Sequence, residues 1–95
     1  MKYQFMQVRE KIALMDKILR ELDDVINSQK SVLKKIAQIE AENINLNDSS
    51  LNDKLPDVHE HVDASIVETT ELQAKFREVY DAFVSNNKPE EESTA

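Results

Sequence analysis

The chain has 95 residues, a formal net charge of −7, two prolines, and neither glycine nor cysteine. At this length a single small domain is the ceiling and its own core is marginal, with no disulfide framework or thiolate zinc site to reinforce it. Most βα loops, tight hairpins and phosphate-cradling loops need glycine at positive φ, so sheet-rich and nucleotide-binding folds are disfavoured together.

The charge is unevenly placed. Residues 1–42 hold eight Lys/Arg against seven Asp/Glu, whereas residues 43–95 hold four against twelve. An acidic half of this kind repels phosphate backbones and anionic membrane surfaces, so no nucleic-acid partner is expected. No apolar run approaches the ~20 residues of a membrane span, and membrane insertion is not expected. The opening "MKYQFMQVREK" lacks the uninterrupted apolar segment of a signal peptide. The expected location is the cytoplasm, with export lacking a cleavable signal as the alternative.

From Phe5 onward, apolar residues recur at spacings of three and four: Phe5, Val8, Ile12, Met15, Leu19, Leu22, Ile26, then Gln29, Leu33 and Ile36. Taken as heptad positions a and d, they form a seam more than four heptads long. The g positions Ile18, Val25, Val32 and Ile39 are apolar too. Three apolar positions per heptad make the wide stripe of a bundle helix. A first helix is predicted over about 2–42, with Gln29 as a register-setting polar residue or a mild bend.

The stretch "NLNDSSLNDKLPDVHEHVD" (residues 45–63) reads as a bend. Pro56 disfavours helix at Leu55, and Asp57 with Glu60 forms a D-x-x-E capping box that starts the next helix. Asn43, Asn45, Asn47 and Asn52 supply the local hydrogen bonds and left-handed tolerance that glycine would otherwise give. The bend is therefore set at 43–57. A second helix is predicted over 58–85, on the run Val58, Val62, Ser65, Thr69, Leu72, Phe76, Val79 and Phe83, with Ile66 and Tyr80 alongside. The ending "SNNKPEEESTA" turns polar and acidic, so 1–86 reads as an α-helical hairpin and 87–95 as a flexible tail.

No chemistry-bearing constellation stands out. His59 and His61 are two apart and point to different sides of a helix, and the i,i+4 pairs His59/Asp63 and Asp57/His61 offer only two ligands each. Two helices provide no cavity to shift carboxylate pKa values, and no nucleophile elbow, HExxH, Walker or dinucleotide motif is present. No enzyme activity, cofactor, metal or small-molecule substrate is expected.

Folding the second helix back antiparallel sets Asp57, Glu60 and Asp63 near Lys30, Lys34 and Lys35. A second helix of ~42 Å ends beside Met15 to Leu19, leaving the first dozen residues bare. Tyr3, Met6, Ala13 and Leu14 add apolar surface off the seam there. The segment is predicted to bind a partner through Tyr3, Phe5, Met6, Val8, Ile12, Leu14, Met15, Leu19, Leu22 and Ile26. The competing expectation is that it bends back as a third short helix. The hairpin core is predicted to be Leu33, Ile36, Ile39, Val62, Ile66, Leu72, Phe76, Val79, Tyr80 and Phe83.

The outline of two long helices in about a hundred residues, cysteine-free and with an acidic tail, resembles the small helical-hairpin proteins of type VII secretion, the WXG-type and LXG-accessory group. The likeness is one of architecture over residues 1–85. "NDSSLND" stands where a W-x-G would be, and "FREVYDAFVSNN" contains no Y-x-x-x-[DE] signal and no F-x-x-x-D. The resemblance implies a helper that pairs with the helical targeting domain of a secreted toxin. Helical secretion chaperones and small coiled-coil assembly subunits fit the same outline. The expectation is an all-α hairpin that completes a three- or four-helix bundle with another helical protein or a second copy of itself.

Overall fold

The computed structural model describes residues 7–87 and arranges them as two antiparallel helices, α1 (Val8–Leu46, 39 residues) and α2 (Ser49–Asn86, 38 residues). The register is fixed by side chains that cross between them: Glu40 with His59, Gln29 with Ser65 and Thr69, and Leu19 and Asp23 with Gln73. The Cα extents of 69 × 29 × 15 Å are those of one layer of helices.

Local chemistry sets the ends. Gln7 precedes α1 in extended conformation and its N–H donates to the Glu10 carboxylate at 3.1 Å, the acidic half of a capping box. The predicted start at Lys2 lies outside the described residues. At the other end α1 runs four residues beyond the predicted limit and stops at Asn47, which takes the left-handed conformation (φ 56°). In a chain without glycine, asparagine is the residue best able to do this.

The predicted 43–57 bend is corrected to two residues, Asn47 and Asp48. Asp48, not Asp57, caps α2: its carboxylate accepts from the Leu51 N–H at 3.0 Å and from the Ser50 hydroxyl. Asp57 and Glu60 lie inside the helix and cap nothing. Buried Asn43 locks the corner by accepting from the Asp48 N–H at 2.9 Å and donating to Asn52 Oδ1 at 2.7 Å. Pro56 did not separate the helices. It occupies the eighth position of α2, where it removes one backbone hydrogen bond, and the turns before it are held by the Asn43–Asn52 contact and by half-buried Leu51 and Leu55.

The seam predicted on α1 is the one the structure uses. Met15, Leu19, Ile26 and Ile36 are buried, and Ile12, Leu22, Gln29 and Leu33 are half-buried beside them. On α2 the half-buried residues Leu55, His59, Val62, Ile66, Thr69, Gln73, Phe76, Tyr80 and Phe83 alternate by fours and threes, with Leu51, Ser65 and Val84 half-buried beside them. No residue of α2 is fully buried. A two-helix layer gives each helix only one neighbour, so its core stays thin.

Candidate interaction surface

α2 is rolled by one residue relative to the sequence reading. Both readings share the positions Val62, Thr69, Phe76 and Phe83, and the structure adds Leu55, which the sequence reading places in the bend. The sequence reading sets Val58, Ser65, Leu72 and Val79 beside them, with Ile66 and Tyr80 alongside. The structure keeps Ile66 and Tyr80 inward and Ser65 half-buried against Gln29, but brings in His59 and Gln73 in place of Val58, Leu72 and Val79. The polar members find partners across the hairpin. His59 Nδ1 lies 2.9 Å from Glu40 Oε1, and the Gln73 amide donates to the Leu19 carbonyl and to Asp23 at 3.4 Å. Leu72 and Val79, predicted core residues, are therefore 55% and 50% exposed, and Val58 is exposed beside them.

With His59, Ile66, Gln73 and Tyr80 at a, the exposed residues Val58, Leu72 and Val79 occupy g on α2. On α1 the g positions are Ile18, Val25, Val32 and Ile39. Antiparallel helices set g opposite g, so both stripes lie on the same side of the hairpin. The observed register matches Ile18 with Val79, Val25 with Leu72, Val32 with Ser65, and Ile39 with Val58. Exposed Leu46 and half-buried Leu51 extend the stripe to the bend. The opposite, e-position side carries Arg9, Asp16, Asp23, Lys30, Asp63, Thr70 and Arg77, with Ala37, Pro56, Val84 and the 78% exposed Ile44 towards the ends. Along the middle of the layer one side is thus mainly aliphatic and the other mainly charged.

The predicted partner-binding set divides accordingly. Met15, Leu19 and Ile26 are buried against α2, with Ile12 and Leu22 half-buried in the same seam, so these five are core residues rather than a free stripe. The expected length mismatch that left them bare does not arise, because α2 reaches the start of α1: Lys11 Nζ sits 4.7 Å from the centroid of the Phe83 ring. Val8 and Leu14 are exposed. Tyr3, Phe5 and Met6 lie outside the described residues. Of the predicted core, Ile36 is buried, and Leu33, Ile39, Val62, Ile66, Phe76, Tyr80 and Phe83 are half-buried.

Polar features elsewhere are modest. Among the described residues, Asp57, Glu60 and Asp63 form no ion pair with Lys30, Lys34 or Lys35; the ion pairs are Lys17–Glu21 and Arg20–Asp16, and His59 is hydrogen-bonded to Glu40. The Asp48 carboxyl is held below its ordinary pKa, chiefly by the Ser50 hydroxyl and then by the Leu51 N–H, both of which favour the charged form. Midway along the seam the Gln29 amide donates to Thr69 Oγ1 at 3.0 Å and to Ser65 Oγ at 3.3 Å, while its buried carbonyl oxygen has no partner. Among the described residues no group of three or more His, Asp or Glu is placed to hold a metal ion, and no helix is long and apolar enough to cross a membrane. A depression lined by Glu68, Glu71, Leu72, Ala74, Lys75 and Glu78 is open and lies on α2 alone.

The fold and surface define an all-α helical hairpin with one aliphatic face. No protein-family model, no curated protein and no solved structure matches the chain.

Proposed function

We propose that this chain is a non-catalytic interaction module that works by laying its aliphatic g-position face against the helices of another protein or of a second copy. The observation that carries this reading is the exposure of Val25, Val32, Val58, Leu72 and Val79 along one side of the hairpin. Five half-exposed aliphatic side chains amount to roughly 400 Å² of apolar surface, the size of the largest patch on a typical monomer, which is often a functional surface. The thin core supports the same reading, since a hairpin with four buried apolar residues among those described gains stability by completing a bundle. The narrower alternative, pairing with the helical targeting domain of a secreted toxin, uses the same face and draws on the two-helix outline alone.

A photo-crosslinking residue placed singly at Val25, Leu72, Lys30 or Asp63 tests the proposal in cells that produce the chain. Adducts from positions 25 and 72, and none from 30 and 63, are expected. Equal capture from both sides, or none from either, would overturn the reading.

A further inference from the structure

The aliphatic face continues into a charge pattern that selects its occupant. Beside g on each helix, on the side away from the seam, lies heptad position c, about 40° further round at 100° per residue. On α1 the c positions read Leu14, Glu21, Ser28, Lys35 and Glu42. On α2, in the opposite direction, they read Ala82, Lys75, Glu68, His61 and Lys54. In the observed register Leu14 stands level with Ala82, Glu21 with Lys75, Ser28 with Glu68, Lys35 with His61, and Glu42 with Lys54. Within one hairpin the two c rows lie on the outer flanks of the same face and do not meet. They meet only when a second hairpin lies on that face with each α1 over the other's α2.

We infer that the occupant of the face is a second copy of this chain, related by a twofold axis parallel to the helices, so that the two hairpins close into an antiparallel four-helix bundle. This rests on the proposal that the g-position side is the interaction surface. In the bundle Ile18, Val25, Val32 and Ile39 meet Val79, Leu72, Ser65 and Val58 of the second copy. Glu21 then reaches Lys75, and Glu42 reaches Lys54, of the second copy; symmetry doubles both pairs. The other face-to-face symmetry has its axis across the helices. Centred at Ser28, it sets Glu21 near Lys35 of the second copy but stacks Glu68 on itself and His61 on Lys75. The parallel axis also sets a lysine, Lys35, beside His61, but it makes two kinds of Glu–Lys pair and stacks no carboxylate on another, so the charges favour it. The area is sufficient. From Ile18 to Leu46 the face runs ~42 Å at 1.5 Å per residue and is about two helix diameters wide. Each copy buries roughly 800 Å², the size of a standard stable interface.

The test is sedimentation or light-scattering mass of the full chain across a dilution series at fixed salt, with helicity followed by circular dichroism. A mass of twice the 11.0 kDa chain is expected, falling to one chain on dilution. Val25→Asp and Leu72→Asp, at exposed positions, should each give a helical monomer. If either variant loses helix, Val25→Ala and Leu72→Ala replace them and should weaken association at least tenfold. Glu21→Lys and Lys75→Glu alone should each weaken the dimer ~3–10-fold, and the double variant should recover to within about twofold of the original.

A dimer indifferent to positions 25 and 72 would overturn both this inference and the reading beneath it. A dimer lost on Val25→Asp but not restored by the double swap would overturn the parallel-axis arrangement alone. A monomer at every concentration would overturn the second copy. If the position-25 crosslinker then captured a different protein, the reading itself would stand.

Discussion

Replacing Gln29 with leucine should stabilise this protein. Gln29 lies at a d position of the α1 seam and donates to Ser65 and Thr69 of α2 at 3.0–3.4 Å, but its carbonyl oxygen is buried without a partner. Two amide protons make at most two hydrogen bonds, each contributing about 0.5–1 kcal/mol net. Removing them orphans nothing, because the Ser65 and Thr69 hydroxyls already donate to the Val62 and Ser65 carbonyls at 2.8 Å. Against that loss of about 1–2 kcal/mol, removing the orphaned carbonyl relieves about 1–3 kcal/mol. Partial burial of the leucine side chain adds about 1–2 kcal/mol. Gln29→Leu should therefore gain about 1–2 kcal/mol, read as a higher urea midpoint with an unchanged slope, at one protein concentration for both chains. A loss of more than about 1 kcal/mol with helix content intact would refute the argument and show the polar layer to be net stabilising.

Three further outcomes are expected. Asn43→Ala leaves the Asp48 N–H at the corner without its acceptor and should cost about 2 kcal/mol in chemical denaturation, against little effect for exposed Asn45→Ala. Asp48 has a depressed pKa in the folded chain, so its charge contributes stability that is complete above the unfolded-state pKa and is lost as pH falls through the folded one. Asp48→Asn keeps a capping side chain, so its deficit relative to the original should be greatest at neutral pH and vanish in acid; a deficit independent of pH would contradict this. Pro56→Ala restores a backbone hydrogen bond inside α2 and should raise stability by up to about 3 kcal/mol, whereas a fall in the melting temperature would contradict a helix continuous through position 56.

The all-α class and the α1 seam were legible because three apolar positions per heptad persist from Ile12 to Ile39, with Gln29 the one polar exception. The asparagine-rich corner was legible too, since a glycine-free chain has few other ways to reach positive φ, as Asn47 does. The length of the bend was not. Proline and a D-x-x-E pattern are local signals for a helix start, and at Pro56 they were overridden by tertiary contacts of the preceding turns, held at Asn43 and Asn52. That error propagated: a shortened α2 left the first turns of α1 apparently bare and moved the candidate interface to Ile12, Met15, Leu19, Leu22 and Ile26, which form the seam.

The roll of α2 was hidden for a different reason. Choosing between Val58/Leu72/Val79 and His59/Gln73 as companions of Ile66 and Tyr80 by hydropathy favours the first set. The second prevails in the structure because Glu40, Leu19 and Asp23 on α1 supply the partners its polar members need. Those partners lie 19 to 54 residues away in sequence, so the periodicity of either helix alone does not reveal them. The residues thereby displaced outward make the aliphatic face, together with g positions of α1 that periodicity had already marked as apolar.

The absence of cysteine makes the decisive measurement simple. A single cysteine placed at Val25 or at Ile26 reports, by its rate of thiol modification, which of two adjacent positions faces out and whether the outer one becomes covered. Position 26 should be protected at every protein concentration. Position 25 should react freely in the dilute chain and become protected as the concentration is raised or a binding partner is added. Protection of position 25 in a dilute monomer, or equal reactivity at the two positions, would contradict the rolled seam and the interaction face that depends on it.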